Sequence, residues 1–502
     1  MDNDAHKMDT LDGEIAQNVE ITRRQFVKKA AAVSCLTTVS LAKVAEMSAG
    51  SPPPTNEHRN VLLIISDDHG LADSNCYGNP VLKTPHMDIL AKKGVRFTSA
   101  FSTVASCSAS RSVIFTGLFN HTNGQYGHQH GPANFHTHIW VRGLPAVLNE
   151  QGYHTGLIGK FHVQPRQVYP FQELITSDVG YKSIKALQGN RDVWSMAQQA
   201  GEFFSSEPEK PFFLAVAYSD PHRDWEKSNA IDYPNVKKET YSPRDVVMPP
   251  YLPDKPEVRR ELAAYYQSVS RLDQGIGFLL QALEKSGRAE STLIIYISDN
   301  GIAFPGAKTN LYDPGIRLPM IVSSPFQRRL DLLNDAMVSY IDLVPTVLDW
   351  AGADSPPYGL PGRSILPILE QENPTGWDTV FASHTFHEIT MYYPMRVIRT
   401  RKYKYILNLA HKLDFPFASD LYESATWQGI LTRGDRKMGV REVDKYIHRP
   451  KEELYDLEND PHEVVNVVDD SQYRDVLDNL RSRLRRWQEA TADTWIVKYT
   501  YE

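Results

Sequence analysis

The sequence predicts an α/β fold: a central, mostly parallel sheet flanked by helices on both faces, with a smaller C-terminal α+β subdomain built on an antiparallel sheet. Three observations carry this prediction. Apolar runs of strand length recur along the chain and each closes on polar residues, as strands buried on both faces do. Stretches of helical periodicity stand between them, the alternation expected of βαβ units. From about residue 371 the character changes, and Met395 to Leu409 alternates Arg, Tyr, Ile and Lys in the manner of antiparallel strands.

Taken in order, Asn60 to Ile65 reads as a central strand whose polar stop is Ser66-Asp67-Asp68-His69-Gly70. The small polar run Ser106-Cys107-Ser108-Ala109-Ser110 gives way to Arg111 and then to apolar residues ending in Gly117, a loop entering a short helix with a glycine stop. Leu144 to Glu150 reads as a helix, Thr155 to His162 as a strand with its exit loop, and Phe212 to Ala217 as a strand closing on Asp220-Pro221-His222. Helical periodicity from Glu261 to Lys285 leads directly into the run Thr292 to Ile297, which ends in Ser298-Asp299-Asn300-Gly301. Near the C-terminus, Glu453 to Pro461 predicts a strand and turn, and Tyr473 to Ala490 a charged amphipathic helix. The resulting organisation is an N-terminal segment over 1–49, a Pro-rich linker over 50–58, an α/β domain over 59–370 and the C-terminal subdomain over 371–502.

The chain of 502 residues is long enough for two structural units, and 41% hydrophobic with 23% charged residues is the make-up of an ordinary globular protein. A net charge of -7 argues against a nucleic-acid partner, which would call for a basic face. An anionic substrate would have to be drawn by a local cluster of cations or by a metal. The first fifty residues differ from the rest. Thr22-Arg23-Arg24-Gln25-Phe26-Val27-Lys28-Lys29 precedes an Ala-rich apolar run to about Ala45, too short for a stable membrane span. This resembles a bacterial twin-arginine export signal and predicts a periplasmic or secreted protein handled by that machinery. A basic amphipathic helix, or lipid attachment at Cys35, are the alternatives. Of three cysteines, Cys35 would leave with the signal, so Cys76 and Cys107 remain and no disulfide framework is expected. Cys76 reads as a buried free thiol.

Cys107 stands just ahead of the predicted helix start, where unpaired N–H groups and the helix dipole favour an anion, and Arg111 one turn later adds a fixed cation. The plainer reading makes Cys107 a small buried hydrophobe and Arg111 a salt-bridge partner. Asp67 and Asp68 lie at the carboxyl end of a predicted parallel strand, where open α/β sheets bind ligands, and two adjacent carboxylates repel unless a cation joins them. A helix cap beside a solvated Asp is the plainer reading. Asp299 and Asn300 repeat the same ending downstream. Together the four offer only oxygen donors, which suits Ca²⁺ or Mg²⁺ and argues against zinc. Lys160, His162, His222 and Lys308 also fall past strand ends, where a lone Lys is ordinarily solvated and a lone His ordinarily hydrogen-bonded in a loop.

Cys107-x-Ala109-Ser110-Arg111 followed by a helix ending in Thr116-Gly117 resembles the motif of the sulfatase family. Gly159-Lys160-Phe161-His162 and Asp220-Pro221-His222 match further sulfatase motifs in the proper chain order. The resemblance runs from about residue 57. Within the family it is nearest to the N-sulfoglucosamine sulfohydrolase (sulfamidase) branch, through Thr309 to Tyr312, Pro314-Gly315, Ser323 to Pro325, Pro345 to Trp350 and His387 to Arg396. It implies an alkaline-phosphatase-like fold and oxidation of Cys107 to formylglycine by a sulfatase-maturating enzyme. It also implies one Ca²⁺ held by Asp67, Asp68, Asp299 and Asn300, and catalytic roles for Cys107, Arg111, Lys160, His162, His222 and Lys308. Substrate contacts would come from His387, Glu388 and Arg396. The sequence departs from the pattern at Ala109, where the family more often has Pro, at Lys308, where the sulfamidases have Arg, and between His128 and Asn134.

The expected activity is hydrolysis of a sulfamate or sulfate ester on a glycosaminoglycan-type sugar, N-sulfoglucosamine of heparin or heparan sulfate being what the resemblance implies, along with a homodimer. His222 would protonate the leaving group and His162 would assist the elimination that frees sulfate. The alternatives are an O-sulfatase on a related sugar, a phosphatase or phosphodiesterase of the same superfamily with two transition metals, and a glycan-binding protein that has lost catalysis. Bound metal separates the phosphatase, and the mass of the Cys107 peptide separates the binding protein.

Overall fold

The computed structural model describes residues 59–177 and 190–500. The segment read as an export signal, the linker and Cys35 lie outside the described residues. Apart from Ser355–Gly359, the described residues gather into one unit. Its strands are β1 (Asn60–Ser66), β2 (Val95–Phe101), β3 (His154–Gly159), β4 (Glu173–Ile175), β5 (Phe212–Ala217), β6 (Thr292–Ser298), β7 (Arg317–Ser323) and β8 (Leu332–Ser339). The helices that pack on them are α1 (Pro85–Lys92), α2 (Cys107–Thr116), α3 (Leu144–Glu150), α4 (Val193–Ser206), α5 (Pro256–Lys285) and α6 (Leu343–Ala351).

These eight strands form one sheet in the order β4-β3-β5-β1-β6-β7-β2-β8. All pairings are parallel except those of β7, which runs against both β6 and β2. The sheet is therefore mostly parallel, as predicted, with a single reversed strand. Its central strands are apolar throughout because both faces are covered. Leu62 and Ile64 of β1 meet α1, α4 and α5 through Met87, Leu90, Met196, Phe203, Leu272, Ile276 and Leu279, all buried. The alternate residues Val61, Leu63 and Ile65 are equally buried on the opposite side. There Phe213 stacks on Phe171, which packs edge-on against Phe115 of α2.

A second, four-stranded antiparallel sheet follows, built from β9 (Thr379–His384), β10 (Met395–Thr400), β11 (Tyr403–Asn408) and β12 (Glu452–Asp456) in the order β12-β11-β10-β9. The amphipathic helix α7 (Arg474–Ala490) buries Leu477, Leu480, Leu484 and Trp487 along one stripe. The short helix Ser419–Tyr422 belongs to the same region. Cys76 carries no disulfide and is half-buried rather than buried, and that partial burial pushes its thiol up to about 11. Among the described residues no helix is long and apolar enough to cross a membrane.

Candidate active site

The site forms where β1 and β6 end side by side. Their register pairs Ser66 with Ser298, so Asp67-Asp68 and Asp299-Asn300 leave the sheet as neighbours. Backbone and side-chain ties lock the two exits together. Asp299 N donates to Ser66 O at 3.0 Å, Asp68 N to Asp299 Oδ1 at 3.1 Å, and His69 N to Ser298 Oγ at 2.8 Å. All four candidate metal ligands are fully buried.

Helix α2 brings Cys107 to this point. Ser106 is its N-cap residue in extended conformation and Cys107 is its first helical residue, so the thiol lies at the helix start rather than one position ahead of it. All ten residues of α2 are buried. Gly117 ends the helix with φ +66°, donating to Val113 O at 2.8 Å, and a β-carbon there would come within 3.0 Å of Val344 Cβ. Conformation and packing together call for glycine. Ser110 Oγ donates to Asp299 O at 2.6 Å, which anchors α2 to the β6 exit. Ligand atoms of Asp67, Cys107 and Asp299 lie within 4.8 Å of one another.

Three cations and an imidazole surround the carboxylates. Arg111, fully buried, donates through Nε to Asp299 Oδ2 at 3.0 Å and through Nη1 to the carbonyl of Lys160 at 2.9 Å, while its Nη2 lies in ion-pair contact with the same Asp299 oxygen at 2.8 Å. Lys160 Nζ pairs with Asp67 Oδ2. Lys308 Nζ sits between Asp68 Oδ2 at 3.0 Å and Asp420 Oδ2 at 2.9 Å. His222 Nε2 lies 3.2 Å from Lys308 Nζ and 3.7 Å from Asp68 Oδ2, while its Nδ1 faces the carbonyl of Arg223 at 2.8 Å. That arrangement assigns the Nδ1 proton to the Arg223 carbonyl and turns Nε2 toward the site. Burial alone would push the Asp67 carboxyl up, but Lys160, His222, Arg111 and Lys308 hold it well below the usual range. Burial raises the Cys107 thiol well above its ordinary value, against the pull of Lys160 and Lys308. An unmodified Cys107 is thus a neutral thiol, a poor nucleophile.

The oxygen donors fit a hard cation. Asp67 Oδ1 and Asn300 Oδ1 are buried without a hydrogen-bond partner, although each sits in a fully buried residue where an orphaned acceptor is costly. Carboxylate and amide oxygens converging in this way match Ca²⁺ or Mg²⁺. Backbone strain gathers at the same place: Asp68, His162 and Thr309 all adopt positive φ, at 63°, 53° and 66°.

The structure thus brings together Cys107, Arg111, Lys160, His222, Lys308 and the four oxygen ligands. His162, two residues past Lys160, is buried at the same mouth, its ring 4.9 Å from that of His128. Of the three residues named as substrate contacts, His387 reaches the site, its Nδ1 2.9 Å from Ser106 Oγ beside Cys107. Glu388 Oε1 instead accepts from the backbone N and Oγ of Ser419, bracing the short helix that carries Asp420. Arg396 is corrected to a structural role. It is fully buried, both Asp493 oxygens take its Nε and Nη2 at 2.6 and 2.8 Å, and its Nη1 donates to the carbonyls of His384 and Met395. The guanidinium is spent on this pairing. Sequence reasoning missed Asp420, whose surroundings in the chain carry no strand ending or motif to single it out, and it missed the contact of His128 with His387.

The sulfatase family model matches residues 59–353, and the model for the C-terminal part of N-sulphoglucosamine sulphohydrolase matches residues 307–423. The chain is 40% identical over 465 residues to N-sulphoglucosamine sulphohydrolase of Homo sapiens, covering 87% of this chain and 91% of that one. It is 27% identical to an ulvan-active sulfatase of Formosa agariphila, covering 87% and 81%. Among solved structures, a protein in complex with its substrate D-glucosamine-2-N,6-O-disulfate superposes with a TM-score of 0.63 at 21% identity, over 87% of this chain and 99% of that one. The phosphonate monoester hydrolase of Agrobacterium radiobacter superposes with a TM-score of 0.61 at 20% identity, over 86% and 96%. At such identities these two likenesses speak for the fold alone.

Proposed function

The chain belongs to the sulfatase family, and from that premise we propose that it hydrolyses the sulfamate of N-sulfoglucosamine at the non-reducing end of a heparin-type glycan, after export by the twin-arginine route and conversion of Cys107 to formylglycine. The observation that carries the chemistry is the convergence of Cys107 with Asp67 and Asp299 inside 4.8 Å, ringed by Arg111, Lys160 and Lys308. A cluster of buried side chains with that many cations suits a sulfuryl group, whose oxygens need compensating charge. The substrate reading leans on the 40% identical relative and on the matching C-terminal family segment.

The chemistry follows from the residues. Replacing the –CH₂SH of Cys107 by –CHO gives an aldehyde whose hydrate carries two hydroxyls. One hydroxyl gives its proton to the neighbouring Asp299 carboxylate and its oxygen attacks sulfur while the S–N bond breaks; the leaving amine takes a proton at its nitrogen from the doubly protonated form of His222, whose Nε2 faces the site. The second hydroxyl then gives its proton to His162, the aldehyde C=O re-forms, and its C–O bond to the sulfate breaks. Arg111, Lys160 and Lys308 neutralise the sulfuryl oxygens throughout. Asp67, Asp68, Asp299 and Asn300 would hold Ca²⁺, which would supply further charge neutralisation at those oxygens. Asp420 positions Lys308 from the side opposite Asp68. The boundary near residue 371 and a homodimer belong to this same reading.

One observation favours a second reading, an O-sulfatase on a related sugar: the segment His128 to Asn134 departs from the sulfamidase pattern, and His128 lines the mouth against His387 and His162. Sulfate release from N-sulfated against 6-O-sulfated glucosamine decides between them. Preferential release from the N-sulfated sugar is expected, and exclusive release from the 6-O-sulfated one overturns the sulfamidase reading. Peptide mass at Cys107 in protein from a host that supplies the maturase tests the modification, and an intact thiol in active protein would defeat the proposed nucleophile.

A further inference from the structure

Four imidazoles meet beside the catalytic site. His128 and His130 come from one loop, His162 from the exit of β3, and His387 from the segment after β9. One ring nitrogen each of His128, His130 and His162 lie within 4.8 Å of one another. The His130 ring stacks on those of His162 and His128, each at 4.8 Å between centroids. His128 Nε2 lies 2.9 Å from His387 Nε2.

The outer face of this cluster is organised as well. His128 Nδ1 faces Ser108 Oγ at 3.4 Å, and His387 Nδ1 faces Ser106 Oγ at 2.9 Å. Each serine takes one nitrogen of its ring and turns the other inward, the arrangement that orients metal-bound histidines through their second nitrogen. The loop itself is pinned: His128 N donates to His387 O at 2.8 Å, and Gly127 packs so closely that a β-carbon would meet that same carbonyl at 2.9 Å. The lysines nearby are each paired, Lys160 with Asp67, and Lys308 with Asp68 and Asp420.

We infer that His128, His130 and His162, with His387 as a fourth donor, form a second metal site, distinct from the oxygen-lined one, that takes a borderline divalent ion of the Zn²⁺, Cu²⁺ or Ni²⁺ class. Imidazole is the ligand such ions favour, whereas Ca²⁺ and Mg²⁺ prefer oxygen. Zn–N bonds near 2.0–2.1 Å place tetrahedral donors about 3.4 Å apart, so His128, His130 and His162 must draw together while His128 Nε2 and His387 Nε2, 2.9 Å apart, must part. His130, the exposed member, is the one with room to turn. The occupied site uses His162, so the ion inhibits turnover by withdrawing the base of the elimination step. This consequence rests on the sulfatase reading, and metal binding does not.

The test uses the full-length, Ca²⁺-saturated protein, with His130→Ala and His130→Asn beside it. Zinc alone is titrated against a chromogenic chelator, and Co²⁺ is followed by its visible absorption. One equivalent of zinc and an intense tetrahedral Co²⁺ band are expected in the unsubstituted protein, with affinity falling by about a hundredfold or more in both variants, beyond the loss typical of an outer partner. Sulfate release, each protein measured against its own metal-free rate, should lose zinc sensitivity in parallel. Equal zinc affinity in all three proteins, or no stoichiometric zinc in the unsubstituted one, overturns the site. Failure of the sulfatase reading would instead show as absent turnover with zinc binding intact.

Discussion

Arg111 and Arg396 are both fully buried guanidiniums held by a carboxylate, yet they answer to different ends. Arg111 joins Asp299 to the Lys160 carbonyl at the start of the pocket. Its replacement by Ala should lower kcat for sulfate release by on the order of a hundredfold or more, because a preorganised cation is lost where charge develops. Lys in its place should recover little, since an ammonium cannot reproduce the planar fork. Arg396 ties β10 to Asp493 near the C-terminus, and Arg396→Ala should remove about 3–5 kcal/mol of stability by leaving that carboxylate buried and unpaired. Denaturant unfolding reads the loss, and kcat/KM of the folded fraction should stay close to that of the unsubstituted protein. A selective rise in KM without a stability loss would return Arg396 to the substrate site.

At the scale of elements, the site depends on α2 being set against the sheet at one fixed depth. Gly117 ends the helix at positive φ with Val344 close behind it, so Gly117→Ala should cost at least about 1 kcal/mol in backbone strain and push α2 away from α6. The expected result is a lowered Tm together with reduced kcat, since Cys107 is the opposite end of the same helix. On the other face, Leu279 of α5 is fully buried among α4 and the sheet. Leu279→Ala should cost about 2–5 kcal/mol by opening a cavity, with little change in kcat at temperatures where the protein stays folded. Comparing the two variants separates helix placement from general stability.

Two places illustrate how the whole molecule couples charge to folding. His121 is buried between Phe119 and Trp487, its nitrogens facing Ser383 Oγ and Thr491 Oγ1 at 2.8 and 2.9 Å, and burial lowers it from 6.5 to about 3. A folded-state value below the unfolded one means the unfolded chain binds the extra proton between those limits. The contribution is therefore complete above pH 6.5 and falls by about 1.4 kcal/mol per unit as pH drops toward 3. Substituting Gln at His121 should flatten the acid limb of a stability-against-pH curve by that slope, and an unchanged limb would remove His121 from the account. The second place is the oxygen-lined site. If it holds Ca²⁺, saturating ion at a hundred times its dissociation constant should add about 2.7 kcal/mol, seen as a rise in Tm that EGTA reverses and Asp299→Asn abolishes.

Much of this protein was legible in the chain because burial leaves a local mark. The runs ending in Asp67-Asp68 and Asp299-Asn300 declare buried strands with polar exits, and the loop-to-helix passage at Cys107 declares a helix start with a glycine stop; each signal lies within a dozen residues. The reversed direction of β7 left no such mark, since an apolar run reads the same for either orientation. The fate of Arg396 was hidden for a related reason: its partner Asp493 stands 97 residues away, and a charge in a strand does not announce what neutralises it. Asp420 against Lys308 and His128 against His387 are contacts across 112 and 259 residues. The sequence by itself thus determined the strands, the helix start and the chemistry available at their ends. Only the tertiary structure decided which of those ends meet, because distance in space between residues far apart in the chain is set by how whole elements pack, and no local pattern carries it.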